Sequence, residues 1–462
     1  MSRPALDRDV VVIGAGVVGA AIARDLSRFD LRCTLAEAGI DVGAATSKAN
    51  TALLHTGFDA MPGTLEARLV RRGHQLLSEY AAGIGIPLER TGALLVAWSE
   101  EQRAAFPAIV ERARANGYTA IRELETDRLY TLEPHLGRGA RAALEVPDEG
   151  IVCPFTTPLA FATDAVLAGC ELRLLASVTQ LERLDTGFAL KVGGRRLTTR
   201  FVVNAAGLHS DEIDRLAGYH GFTVTPRRGE LIVFDKLARP LLDHIILAVP
   251  TGTTKGVLLA PTVFGNVLLG PTAEDVHDKD DTSSTAAGLA YLRSEAERLM
   301  PSLLDYEVTA VYVGLRAATE HADYQLTVHA PEGYACVGGI RSTGLTASMA
   351  IAEHVRTELE AAGLELRAKE ELPSFTMPNI GERSPRPYQQ RARIAENPDY
   401  GRVVCFCERV TRGEILDALA SPVPPTDLDG VRRRTRALMG RCQGFFCGAH
   451  VAALLAEGRA GA

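Results

Sequence analysis

"DVVVIGAGVVGAAIARDLSRF", residues 9–29, decides the fold. Asp9 to Ile13 is rich in Val and Ile, the pattern of a short buried strand. Gly14, Gly16 and Gly19 follow at GxGxxG spacing, and an amphipathic helix runs on from them. Each glycine has a physical reason. Gly14 permits a sharp turn, Gly16 lets backbone approach a pyrophosphate, and Gly19 lets the helix pack close to the strand with its positive end toward the phosphates. A second strand, "LRCTLAE" (31–37), ends in Glu37, 18 residues after Gly19, where a carboxylate can accept from ribose hydroxyls. The complete β-α-β-Glu unit predicts a dinucleotide site, but its spacing does not choose between FAD and NAD.

The rest of the chain bounds what that site serves. At 462 residues it is too long for one core, so two or three domains are expected. A net charge of -7 argues against general nucleic-acid binding. The basic run "VRRRTRALMGR" (431–441) reads as a solvated helix face or as a docking patch for an acidic partner. The apolar run at 10–23 lacks the basic flank of a secretion signal, since Asp7 and Asp9 precede it, so it is read as strand, turn and helix. No apolar stretch approaches the ~20 residues that span a bilayer. Eight cysteines without a signal suggest a reducing cytoplasm, with membrane attachment only through a partner. Cys33, Cys153, Cys170 and Cys336 are scattered and read as buried structural thiols.

The other four thiols cluster. "VVCFCERV" (403–410) and "MGRCQGFFCG" (439–448) hold Cys405, Cys407, Cys442 and Cys447 as a C-x-C plus a C-x4-C pair. Four thiolates from two loops suit a [2Fe–2S] cluster. Zinc also accepts four thiolates, although its usual knuckles are C-x2-C pairs. Between the two loops, Thr411 and Glu414 stand at N-cap and capping-box positions of a helix. Residues 371–402 are proline-punctuated and polar, and read as a linker.

Familiar motifs then appear. The Gly/Ala/Ser/Thr-rich loop 38–58 and "RFVVNAAGLHSDEIDRLAG" (200–218) resemble flavoenzymes of the glycine-oxidase, D-amino-acid-oxidase and glycerol-3-phosphate dehydrogenase superfamily. The resemblance implies FAD as the nucleotide, with Ser47 and Asn50 near it, Val178 at its adenine end and Gly207 beside it. Gly339, Thr343 and Gly344, in the strand–turn–helix pattern "YACVGGIRSTGLTASMAIAEHV" (334–355), could face the flavin edge. The tail resembles the bacterioferritin-associated-ferredoxin-like [2Fe–2S] domain through its "RRRTRxxMGxCQGxxC" run, which supplies all four expected ligands. The fold class implied is α/β: a Rossmann-type FAD-binding domain with an inserted α+β substrate domain and a small C-terminal helical iron–sulfur domain. The FAD domain would comprise 1–85, 150–219 and 331–370, the substrate domain 86–149 and 220–330, the linker 371–402 and the cluster domain 403–462.

Nearly the whole chain resembles the large subunit of anaerobic glycerol-3-phosphate dehydrogenase, through "VPDEGIVCPFTT" (146–157) and "VGLRAAT" (313–319). Its centre equally resembles L-2-hydroxyglutarate oxidases, through 53–73, 260–275 and 338–355. The sequence departs from the glycerol-phosphate branch at Asp59 and Ala60, where that family has an Arg-Tyr pair, and at Ile340, where it has a lysine. The resemblance makes Arg316 the substrate arginine and Arg341 a second candidate. One or two guanidinium forks suffice to clamp the anion of a hydroxy acid. His55, in the loop bordering the flavin, is the candidate base for the hydroxyl proton. His209 reads as structural, and Lys255 as a loop lysine near the substrate mouth.

These readings converge on oxidation of a small anionic CH–OH substrate, a 2-hydroxy acid or glycerol 3-phosphate. Hydride passes to flavin, and single electrons then pass through the cluster to a partner protein or quinone. The alternatives are C–N oxidation of an amino acid or opine, and a non-catalytic electron-transfer subunit.

Overall fold

The computed structural model describes residues 6–250 and 256–460, so Lys255 lies outside the described residues. The opening motif forms strand Arg8–Ile13, helix Val17–Leu26 and strand Cys33–Ala36. Strand Arg8–Ile13 pairs in parallel with Cys33–Ala36 on one side and with Arg195–Asn204 on the other. That last strand does two jobs. Its first half closes an antiparallel meander with Val178–Arg183 and Phe188–Val192, while its second half pairs in parallel with Tyr334–Gly338. Helix Val17–Leu26 packs between helices Thr156–Leu167 and Gly344–Ala361, which cover the same sheet.

A second sheet draws strands from 93–146 and from 225–318. Its longest pairing joins Thr225–Phe234 antiparallel to Val308–Ala318, with Gly229 opposite Gly314 and Arg227 opposite Arg316. Gly229 leaves room within the sheet for the Arg316 guanidinium, and Gly314 removes a side chain where the sheet meets another part of the chain. A Cβ on Gly314 would lie 1.9 Å from the carbonyl oxygen of Ala49, in the loop after the second strand. The second sheet therefore presses directly on the loop that the sequence assigns to a flavin.

The tail has its own small core, built from Val404, Val410, Ile415, Val431, Val451 and Leu454. Thr411 caps helix Arg412–Leu419, and Glu414 completes the reciprocal box, as the spacing predicts. Residues 371–402 carry short helical turns at Pro387–Gln389, Arg391–Glu396 and Pro398–Gly401. Arg386 from this segment is buried against Glu414 at 2.6 Å.

The basic run departs from both expectations. Arg433, Arg434 and Arg436 are buried rather than solvated, so they offer no docking patch. Arg433 and Arg434 converge on Asp41, in the loop after the second strand, and Arg436 bonds Glu408 at 3.1 Å. The sequence displayed the charges but not their distant carboxylates.

The close packing at the first turn gives a test. A Cβ on Gly19 would sit 1.9 Å from the carbonyl oxygen of Gly14. Gly19→Ala is expected to cost about 1–3 kcal/mol through overpacking and to lower bound FAD, read as the ratio of flavin to protein absorbance after gel filtration.

Candidate active site

Loops at the carboxyl ends of the first sheet's strands build the nucleotide cradle. Gly14 adopts φ 99°, in the region that disfavours other residues. Gly16 opens helix Val17–Leu26 with no side-chain cap and no acid in the first turn, leaving the positive end open to an anion. Glu37 ties the cradle together: its Oε2 accepts from Ala15 N at 2.6 Å and its Oε1 from Gly39 N at 2.7 Å. A carboxylate has about four lone-pair sites, so capacity remains for ribose hydroxyls. Ser47 Oγ accepts from Val17 N at 2.9 Å, which brings the second loop onto the helix end. Ala176 N bonds Glu37 O at 2.8 Å, which sets the start of the Val178 strand beside the acidic residue.

Beyond Ser47 the loop is pinned from both sides. Asn50 Nδ2 donates to Ser47 O at 2.8 Å, and Ala52 N donates to Asn50 Oδ1. From the second sheet, Tyr312 OH donates to Asn50 O at 2.7 Å, and Thr46 donates to Leu315 O. Gly207 at φ 57° ends the strand Arg195–Asn204 region, and Gly339 at φ 65° turns the chain out of Tyr334–Gly338. Helix Gly344–Ala361 then starts without a side-chain cap at Thr343, whose hydroxyl instead donates to Glu66 at 2.8 Å. Thr346, in its first turn, accepts from His55 N at 3.0 Å.

His55 is thereby held beside that helix end. Its Nδ1 faces Glu149 Oε2 at 3.4 Å, close enough for charge attraction but outside hydrogen-bond geometry. Glu149 is wholly buried, and its other oxygen accepts from Thr56 N and Thr56 Oγ1 at 2.7 and 2.8 Å. His209 pairs with Glu212 at 3.1 Å on the surface.

The two arginines differ. Arg341 binds Glu66 at 3.3 Å and the carbonyl of Ala322, so its charge already has a carboxylate. Arg316 makes one hydrogen bond, to the carbonyl of Thr272 at 3.2 Å, and meets no carboxylate among the described residues. Burial, with the like charge of Arg227, pushes its pKa down to about 10. Its charge is therefore not balanced by any carboxylate among the described residues.

In the tail the four thiols come as two adjoining pairs, Cys407 with Cys442 and Cys405 with Cys447. Among the described residues no three His, Cys, Asp or Glu side chains converge as ligands of one metal ion. Two adjoining thiol pairs would supply two ligands to each iron of a two-iron cluster. The amide N–H of Phe446, helped by those of Gly444 and Phe445, lowers the Cys442 pKa. Burial, with Cys405 alongside, pushes the Cys447 thiol up to about 12.

The tail and the flavin loop share a cavity of about 630 Å3, lined by Asn50, Lys48, Phe264, Arg436 and Gln443, the last being the neighbour of Cys442. Three further contacts fix the tail. Asp41 accepts from Arg434 Nη1 and Nη2, both at 2.8 Å, and from Arg433; Arg441 bonds Asp235 at 2.8 Å; and Lys236 bonds Glu408 at 3.0 Å. Burial raises the Asp41 pKa, but Arg434 and Arg433 outweigh it and the net shift is downward.

Residues 9–357 match the FAD-dependent oxidoreductase (DAO) family, and residues 403–457 match the BFD-like [2Fe–2S] binding domain. The chain belongs to the FAD-dependent oxidoreductase family. It is 34% identical over 454 residues to glycerol 3-phosphate dehydrogenase of Caloramator mitchellensis, covering 97% of this chain and 94% of that one. The FAD-bound structure of L-α-glycerophosphate oxidase from Mycoplasma pneumoniae superposes at a TM-score of 0.75, with 28% identity over 80% of this chain and 99% of that chain. L-2-hydroxyglutarate dehydrogenase of Arabidopsis thaliana is 27% identical over 75% of this chain and 82% of its own. This oxidoreductase uses FAD, and its tail is a [2Fe–2S] module. Both cofactors fit the groups described: a helix end without an acid in its first turn and bare glycines at the head, paired thiols at the tail.

Sequence reasoning missed Asp41 and Glu149. Asp41 looks like any loop acid, and Glu149 like a turn residue in "VPDEG"; only the fold shows their partners.

Two tests follow from this geometry. Cys442→Ser is expected to abolish iron and acid-labile sulfide while leaving FAD bound and reducible by substrate, as followed by metal analysis and anaerobic bleaching. Asp41→Ala leaves two buried guanidiniums without their carboxylate, at a cost of about 3–5 kcal/mol, read as a lower denaturation midpoint. Because the folded pKa of Asp41 lies below its unfolded value near 3.8, its contribution is present above that pH and is lost only as pH falls through the depressed value. The wild-type and variant stabilities should therefore converge only in strong acid.

Proposed function

We propose that this flavoenzyme oxidises the carbinol carbon of a small anionic substrate, with glycerol 3-phosphate as the first to test. Arg316 carries the reading: a half-buried guanidinium with no carboxylate partner among the described residues waits for an anion. Its fork can grip two oxygens at once, which fixes the rest of a small molecule in orientation. His55, held by Thr346 at its backbone, takes the hydroxyl proton at the imidazole. The [2Fe–2S] module would supply a one-electron exit, and bound FAD would supply the hydride acceptor. Gly14, Gly16, Gly19, Glu37, Ser47, Asn50, Val178, Gly207, Gly339, Thr343 and Gly344 are the residues that would border it.

A second substrate, a 2-hydroxy acid, is favoured by particular residues. Ile340, Asp59 and Ala60 stand where the glycerol-phosphate branch resembled by this sequence carries a lysine and an Arg-Tyr pair. With fewer cations, a carboxylate is easier to balance than a phosphate dianion.

The electron exit is the cluster face. Phe406, Phe445 and Phe446 flank the cluster cysteines and are 73%, 85% and 76% exposed. Apolar rings left in water beside a redox centre suit the approach of an electron-accepting partner protein. No helix among the described residues is long and apolar enough to cross a membrane, so attachment to one would run through that partner.

Purified enzyme assayed with a dye acceptor should turn over glycerol 3-phosphate or L-2-hydroxyglutarate and ignore amino acids; turnover of amines alone would overturn the reading. Arg316→Leu should lower kcat/KM for the anion by roughly 100-fold, in line with the loss of a charged hydrogen-bond partner, with FAD content unchanged.

A further inference from the structure

Glu149 is a costly residue for a structural turn. It is wholly buried, and burying a carboxylate is tolerated only where something compensates for the lost water. One oxygen is compensated, by the amide and hydroxyl of Thr56. The other, Oε2, makes no hydrogen bond, and what faces it is Nδ1 of His55 at 3.4 Å. The two residues come from different places: His55 from the loop after strand Leu53–Leu54, and Glu149 from the turn before strand Gly150–Val152. These strands pair with each other, Leu54 opposite Gly150, which delivers the two side chains to one spot. Thr56 and Thr346 complete the frame, the first orienting the carboxylate and the second holding the His55 backbone.

We infer that Glu149 is a positioning residue that sets the His55 tautomer for proton abstraction. Once the 3.4 Å gap closes, a proton held on Nδ1 would be drawn to Glu149 Oε2, which would make Nε2 the basic nitrogen. When the substrate O–H bond breaks, its proton goes to Nε2 as the C–H pair leaves as hydride for the flavin, and the resulting imidazolium is balanced by the buried carboxylate. The pairing of a base with a buried acid that orients it recurs in acyl-transfer triads. The 3.4 Å separation is the loose geometry expected before substrate closes the site. In this role Glu149 acts only through His55.

The inference rests on His55 as the base, so its test separates the two. His55→Ala, Glu149→Gln and the double variant are compared as holoenzyme, by kcat and KM with a dye acceptor, alongside FAD absorbance. Glu149→Gln keeps the shape and removes the charge, and should lower kcat roughly 10- to 100-fold with little change in KM, part of the general-base contribution. The double variant should be no slower than His55→Ala, because the carboxylate has no base left to orient. If His55→Ala keeps full kcat, the assignment of the base fails. If His55→Ala is slow but Glu149→Gln is not, or the two losses multiply in the double variant, the role of Glu149 fails and the base survives. Should Glu149→Gln lose FAD, Thr56→Val replaces it in the same cycle. It removes one donor to the other carboxylate oxygen and should lower kcat a few-fold in the wild-type background alone; a loss that persists without His55 overturns the inference.

Discussion

One carboxylate holding two guanidiniums out of water organises this molecule. Asp41 sits in the loop between Glu37 and Ser47, and its partners Arg433 and Arg434 lie almost four hundred residues later in the chain. Three buried charges would be ruinous alone. They are tolerated because Asp41 accepts three bonds from the arginines and one from Val42 N, while Arg434 also donates to the carbonyls of Val423 and Gly430. The arrangement joins the loop that shapes the flavin site to the module that carries iron. Relative placement is what one-electron transfer between two centres requires, and a bidentate, desolvated pairing fixes placement better than an apolar contact that can slide.

The second sheet supplies the other constraint. Gly314 lets a strand lie flat on Ala49, and Tyr312 and Leu315 bond the same loop on either side. The same strand carries Arg316 two residues on. The residue proposed to hold substrate is thus linked to the residues proposed to hold flavin by a backbone approach at Gly314 and by the Tyr312 and Thr46 hydroxyls. The tail touches this sheet too, at Asp235, Lys236 and Phe264, where Arg436 stacks 4.1 Å from the ring. Head, sheet and tail meet around one cavity.

Local chemistry was legible in the sequence; long-range pairing was not. The β-α-β-Glu unit and the Thr411 and Glu414 cap are contained within short windows and formed as their patterns predict, and the four-thiol spacing lies in the stretch that matches the [2Fe–2S] domain. The run at 431–441 was misjudged because its charge is visible while its burial is not. A stretch of arginines reads as surface unless a distant acid is known to meet it. Glu149 was equally opaque, because its meaning depends on a strand pairing that sets it against His55. For the arginines the resemblance already put Arg316 first and Arg341 second; what it could not show is that Glu66 stands beside Arg341.

The position of Asp41 also limits how such a chain can be taken apart. Ending it before the tail, to obtain a flavin-only oxidase, would strand an anion inside the loop that cradles the cofactor. A shortened form would need that acid neutralised at the same time, so the two halves of this protein have become hostage to one another at a single side chain.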